Sequence, residues 1–113
     1  MSGITTHVLD TSRGRPAQGV PVTLEVAALE GWKVVSQGVT NADGRVSDLV
    51  SPEKSVAAGV YRLIFDTRKY FAGRQVESFY PQVTIVFSIA EPTEHYHVPL
   101  LLSPFGYSTY RGS

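Results

Sequence analysis

With 113 residues, ten basic and ten acidic side chains, the chain has room for one domain, residues 1–113, and carries no net charge. That balance excludes electrostatic capture of nucleic acid or an anionic membrane, and no stretch approaches the roughly 20 apolar residues that span a bilayer. The absence of cysteine excludes a disulfide framework and a thiolate nucleophile. Met1-Ser2-Gly3-Ile4 has neither the basic segment nor the apolar run of a secretory signal, so the expected location is the cytoplasm.

Taken in chain order, the pattern is strand-like nearly throughout. Ile4–Asp10 is a short run rich in β-branched residues, closed by the turn-prone Ser12-Arg13-Gly14-Arg15-Pro16. From Val20 to Leu29, Val20, Val22, Leu24 and Val26 alternate with Pro21, Thr23 and Glu25, the period of a half-buried strand. Glu30-Gly31 turns into Trp32–Thr40, where Trp32, Val34 and Ser36 are expected opposite Lys33, Val35 and Gln37. Asn41-Ala42-Asp43-Gly44 is a tight-turn signal, with glycine supplying the positive φ. Ser47–Ala58, interrupted by Pro52, reads as a loop with at most a short edge strand.

Gly59–Phe65 is the next strand, and Thr67–Ala72, with a capping residue at Asp66 or Thr67 and Gly73 behind it, predicts one or two helical turns. Val83–Ala90 and Tyr96–Leu102 are further strands. Beyond Ser103-Pro104 and Gly106, a final strand is expected to carry Tyr107-Ser108-Thr109-Tyr110-Arg111-Gly112-Ser113 to the end of the sequence. Termini this polar usually fray, so an ordered one reads as the wall of a binding site. Frequent turns between short strands argue for an all-β, antiparallel two-sheet sandwich.

Three histidines are the candidates for chemistry. His7 sits mid-strand between apolar neighbours, where a histidine satisfied by a backbone or hydroxyl partner is the plain alternative to a functional one. His95 and His97 share one strand face, a spacing that suits a metal pair, yet zinc wants a third protein ligand and no cysteine or acidic pair completes the set. In the last strand Ser108, Tyr110 and Gly112 are expected on one face, with Tyr107, Thr109 and Arg111 on the other. Imidazoles converging with Tyr110 and Ser108 would suit general acid–base work on a neutral polar substrate; a polar subunit contact is the alternative. Arg45, directly after the tight turn, is either solvated or a positioned binder of carbonyl or anionic oxygens.

Three separated segments carry a resemblance to a known family. They are Thr6-His7-Val8-Leu9-Asp10 with Arg13-Gly14-Arg15-Pro16-Ala17, then Asn41-Ala42-Asp43-Gly44-Arg45, then His95-Tyr96-His97-Val98-Pro99-Leu100-Leu101-Leu102-Ser103-Pro104 running to Tyr110-Arg111-Gly112-Ser113. In these the chain resembles the transthyretin-related 5-hydroxyisourate hydrolases over essentially its full length. The resemblance implies a transthyretin-like sandwich of about eight strands with one short helix, and a homotetramer, a dimer of dimers whose sites lie in a channel between dimers. It implies hydrolysis of 5-hydroxyisourate to 2-oxo-4-hydroxy-4-carboxy-5-ureidoimidazoline in uric acid breakdown, with no metal and no cofactor. Catalytic roles fall on His7, Arg45, His97 and Tyr110, and Ser108, Arg111, Gly112 and Ser113 shape the substrate pocket. His7 is expected to take the water's proton while His97 orients water or substrate. The alternative is a transthyretin-like carrier of a small aromatic ligand, which would lack the paired imidazoles.

Overall fold

The computed structural model describes residues 3–46, 49–50 and 56–113. Eight strands and one helix follow in the order β1 (Gly3–Asp10), β2 (Arg15–Pro16), β3 (Pro21–Ala28), β4 (Gly31–Val39), β5 (Gly59–Phe65), α1 (Thr67–Gly73), β6 (Val83–Ile89), β7 (His95–Ser103) and β8 (Gly106–Thr109). They form two four-stranded sheets, β2-β1-β7-β8 and β4-β3-β5-β6. The loop expected over Ser47–Ala58 falls largely outside the described residues. No helix among the described residues is long and apolar enough to cross a membrane.

Period-two alternation builds the core. Ile4, Val8 and Leu100 enter from one sheet and Val22, Leu24, Leu63 and Phe65 from the other, all fully buried. The sandwich is therefore the expected one, with three local departures. The first is that β1 and β7 run parallel, with Thr5 opposite His97 and His7 opposite Pro99. A parallel pair needs a long crossover, and here the whole second sheet supplies it. The second is a bulge opposite the Leu24–Glu25 step, where Leu24 faces Ser36 but Glu25 faces Val34, so Val35 is extra. Alternation in β4 thus shifts by one, and Trp32 and Val34 no longer share a face with Ser36.

The third departure concerns the last strand. It was expected to reach the end of the sequence, but β8 stops at Thr109. Pro99 is the reason: it stands next on β7 and has no N–H to give the ladder. The Thr109 hydroxyl donates to the Pro99 carbonyl at 2.7 Å instead. Tyr110 and Arg111 leave the sheet, and Gly112 returns in the same register to donate its N–H to the His97 carbonyl at 2.8 Å.

One buried polar cluster ties the ends of the fold together. Asp10 is 1% exposed at the end of β1. Its carboxylate accepts from the Tyr70 hydroxyl of α1 at 2.7 Å and from the Ser12 hydroxyl at 2.5 Å. Burial alone would push the carboxyl pKa up; the hydrogen bonds from Ser12, Tyr70 and the Arg13 and Ser12 backbone outweigh it and hold the pKa below its ordinary value. Asp66 caps α1 as expected, accepting from the Lys69 N–H at 3.1 Å.

Removing the Tyr70 hydroxyl therefore strands a buried carboxylate. Tyr70→Phe should lower unfolding free energy by about 1.5–3 kcal/mol in urea titration at neutral pH. Because the Asp10 pKa is depressed, this stabilisation is present above the unfolded value of about 3.9 and is lost as pH falls through the folded one. The gap between wild type and variant should shrink in acid; a gap that persists undiminished would place the effect in packing.

Candidate functional site

The inward alternation of β1 and β7 leaves Thr5 and His7, and His95 and His97, on the outer face of their sheet, each half-buried. Parallel register then does what sequence distance conceals, setting Thr5 directly beside His97. The Thr5 hydroxyl lies 2.8 Å from His97 Nδ1 and 2.9 Å from His95 Nε2, so one oxygen joins both rings. With Nδ1 engaged, Nε2 is the His97 nitrogen without a protein partner among the described residues.

Arg45 reaches this face through a tight turn. The Asn41 side-chain oxygen accepts from the N–H groups of Asp43 (2.9 Å) and Arg45 (3.1 Å). Gly44 takes φ +77°, as the Asp-Gly signal predicts, and its carbonyl accepts from the Val8 N–H at 2.8 Å. A side chain at Gly44 would run into the Val8 carbonyl oxygen as well as strain the backbone. The turn thereby docks against β1 with Arg45 bridged to His7.

These residues border a cavity of about 430 Å³ whose wall includes Thr5, Asn41, Arg45, His95, His97 and Ser113. His7 is not part of this wall; it stands one row along the sheet and acts on His97 through its charge. Burial lowers the His97 pKa first, the charges of Arg45, His7 and His95 lower it further, and a hydrogen bond to the Thr5 backbone opposes them without reversing the shift. A lowered pKa favours the neutral ring, and a neutral imidazole sharing a cavity wall with the Arg45 guanidinium pairs a proton acceptor with an oxyanion binder. Among the described residues no group of three His, Cys, Asp or Glu is placed to hold a metal ion.

The remaining expected residues divide. Ser113 reaches the histidine cavity, while Gly112 packs against the His97 ring. Tyr110, 58% exposed, and Arg111 line a second cavity of about 250 Å³ between β6 and β7 that touches the other side of His97. Arg111 is also held by Glu94 at 2.9 Å and lies over the Tyr96 ring. Ser108 lies apart, in a shallow depression beside Tyr107 and Thr11. Within one protomer, then, Ser108 does not converge with Tyr110 and the imidazoles. Thr5 was missed by sequence reading; a β-branched polar residue two positions before His7 on the same strand face was its one available signal.

A half-buried imidazole and a guanidinium on the outer face of a two-sheet sandwich make a polar site with a proton acceptor and a cationic donor. A family model described as the HIUase/Transthyretin family matches residues 4–112. A mouse 5-hydroxyisourate hydrolase is 48% identical over 114 residues, covering 99% of this chain and 96% of its own. Among solved structures, the Klebsiella pneumoniae 5-hydroxyisourate hydrolase superposes with TM-score 0.87 at 38% identity, covering 99% of this chain and all of its own. A transthyretin from Sparus aurata superposes with TM-score 0.90 at 32% identity, covering 99% and 97%. The chain belongs to the HIUase/Transthyretin family.

Glycine at 112 has a packing reason. A β-carbon there would stand 2.5 Å from His97 Cδ2 and 3.3 Å from Pro99 Cγ, so the ring must move to admit it. Gly112→Ala should leave the fold intact and displace His97, read as shifted imidazole ¹H–¹⁵N resonances; unchanged resonances would show that the ring has room to spare.

Proposed function

We infer that the chain hydrolyses 5-hydroxyisourate to 2-oxo-4-hydroxy-4-carboxy-5-ureidoimidazoline in uric acid breakdown. The observation that carries this reading is the neutral, hydroxyl-anchored His97 beside Arg45 and His7. The fold alone cannot choose, because hydrolase and transthyretin structures superpose on it about equally well. The imidazoles and the guanidinium favour hydrolysis over carriage.

The chemistry follows from those groups. Opening a cyclic amide needs a deprotonated water and a donor for the oxygen that gains charge. We assign the base to His97 rather than His7, because His97 is the ring held at a fixed nitrogen and kept short of protons. Water attacks the ring carbonyl as its proton passes to Nε2, and Arg45 donates to the developing oxyanion. Collapse breaks the C–N bond, the proton returns from Nε2 to the leaving nitrogen, and the new carboxyl group releases its remaining proton to solvent as a carboxylate. His7 is left to orient the substrate, with Tyr110 beside the planar heterocycle. No covalent intermediate is required.

Assembly is part of the proposal. β6 and β8 are each one of the two edge strands of their sheet and flank one cavity, with Val86 57% exposed on β6. Adjacent edges without a strand partner among the described residues invite pairing with a second copy. A tetramer would then bring Tyr110 and Ser108 of neighbouring copies towards the histidine cavity. The proposed setting is the cytoplasm, compatible with a domain of this size standing without disulfides.

Two measurements test these statements. Decay of the absorbance of freshly generated 5-hydroxyisourate should accelerate with protein, and His97→Asn or His7→Asn should slow turnover by about 10²-fold or more without unfolding. The acid limb of kcat/KM should lie below about pH 6.5, since the His97 pKa is lowered and the base form persists into mild acid. Near-wild-type rates in both variants would refute the imidazole mechanism. Light scattering at micromolar protein should give a tetramer mass; a monomer with full specific activity would remove any role for shared walls.

A further inference from the structure

The Thr5 oxygen carries a constraint that neither ring carries alone. A threonine hydroxyl has one proton, so of two bonds at hydrogen-bonding distance it can donate one and must accept the other. Thr5 Oγ1 stands 2.9 Å from His95 Nε2 and 2.8 Å from His97 Nδ1. If His95 Nε2 accepts, the hydroxyl must receive a proton from His97 Nδ1–H, and the His97 Nε2 lone pair is free. If His95 Nε2 donates, the hydroxyl proton is released to be donated to His97 Nδ1, and in that arrangement the mobile proton of neutral His97 sits on Nε2, where it cannot serve as base.

We propose that Thr5 is a positioning residue which, together with His95, sets the tautomer of His97 and so decides whether its Nε2 faces the cavity as an acceptor or as a donor. This deepens the hydrolase reading, and rests on it for its catalytic consequence. The structure supplies the rigidity such a device needs. Thr5 and His97 are direct partners in the parallel ladder, so the β1–β7 pairing fixes their spacing. On the other side, the Gly112 backbone packs along the Cδ2 edge of His97, close enough that a β-carbon there would collide with it.

The arrangement also has a direction. When water's proton arrives at Nε2, His97 becomes an imidazolium with Nδ1–H already donated to Thr5. That proton can pass to Oγ1 as the hydroxyl proton passes to His95 Nε2. The charge then rests on His95; as His97 gives its Nε2 proton to the leaving nitrogen, His95 Nε2 returns its proton to Oγ1 and the hydroxyl proton returns to His97 Nδ1, so both rings end neutral. Charge on His97 is disfavoured by the groups that face it: Arg45 from the turn, His7 from β1 and His95 on its own strand. Tyr110 and Arg111 face it across the second cavity.

The test uses histidine-labelled full-length protein and two readouts. Long-range ¹H–¹⁵N correlation at about pH 8, above the ordinary histidine pKa, should show wild-type His97 protonated on Nδ1. Thr5→Val, nearly isosteric, and His95→Leu, which deletes the acceptor, should each move that proton to Nε2, and Thr5→Ser should restore it. In the decay assay Thr5→Val should lose at least about tenfold in kcat with KM little changed, and Thr5→Ser should recover most of it. A His97 tautomer indifferent to Thr5→Val, or a kcat that survives it, overturns the proposal. Absent wild-type hydrolysis together with a tautomer that follows Thr5 would refute the substrate assignment while upholding the switch.

Discussion

The parallel pairing of β1 with β7 is the constraint on which the rest of this molecule depends. Strands that are sequence neighbours can pair through a short turn, but these two are joined by a connection that runs through the whole second sheet. Their register sets Thr5 against His97 and His7 one row further on. Those groups come from opposite ends of the sequence, and no local structure could place them. The core residues between the sheets, Val8 and Leu100 among them, hold that register by burying the other face of the same strands. A one-residue slip would turn every functional side chain into the core.

Around that pair, backbone contacts rather than side-chain charges complete the face. The Asn41 turn is closed by its own amide oxygen and docked by the Val8–Gly44 hydrogen bond, so Arg45 arrives on a short, rigid lever. The stretch beyond β8 is docked in the same manner by Gly112 onto the His97 carbonyl. Two glycines thus mark the two places where backbone must approach a histidine closely, Gly44 by His7 and Gly112 by His97. Partial burial of the ring, and after it the Arg45 charge, then depress the His97 pKa.

The same scaffold leaves much of its functional surface open. Tyr110 and Ser108 lie in separate depressions, and β6 and β8 present unpaired edges. In the proposed function the histidine cavity is one side of a site that neighbouring copies complete. In the proposed assembly the open edges and the scattered polar residues have a common explanation.

The sequence by itself determined most of the strands, the helix with its Asp66 cap, and the turn at Gly44, because these follow from period-two burial, local capping and the φ of glycine. It also marked His7, Arg45 and His97, whose motifs are contiguous. Three things were decided only in three dimensions. The Val35 bulge arises from pairing with β3, which alternation within β4 does not record. The end of β8 at Thr109 comes from a proline on the partner strand. The link from Thr5 to His95 and His97 joins positions some ninety residues apart. Local propensity reads a chain along its length, whereas hydrogen-bond register between distant strands exists only once the sheet has closed.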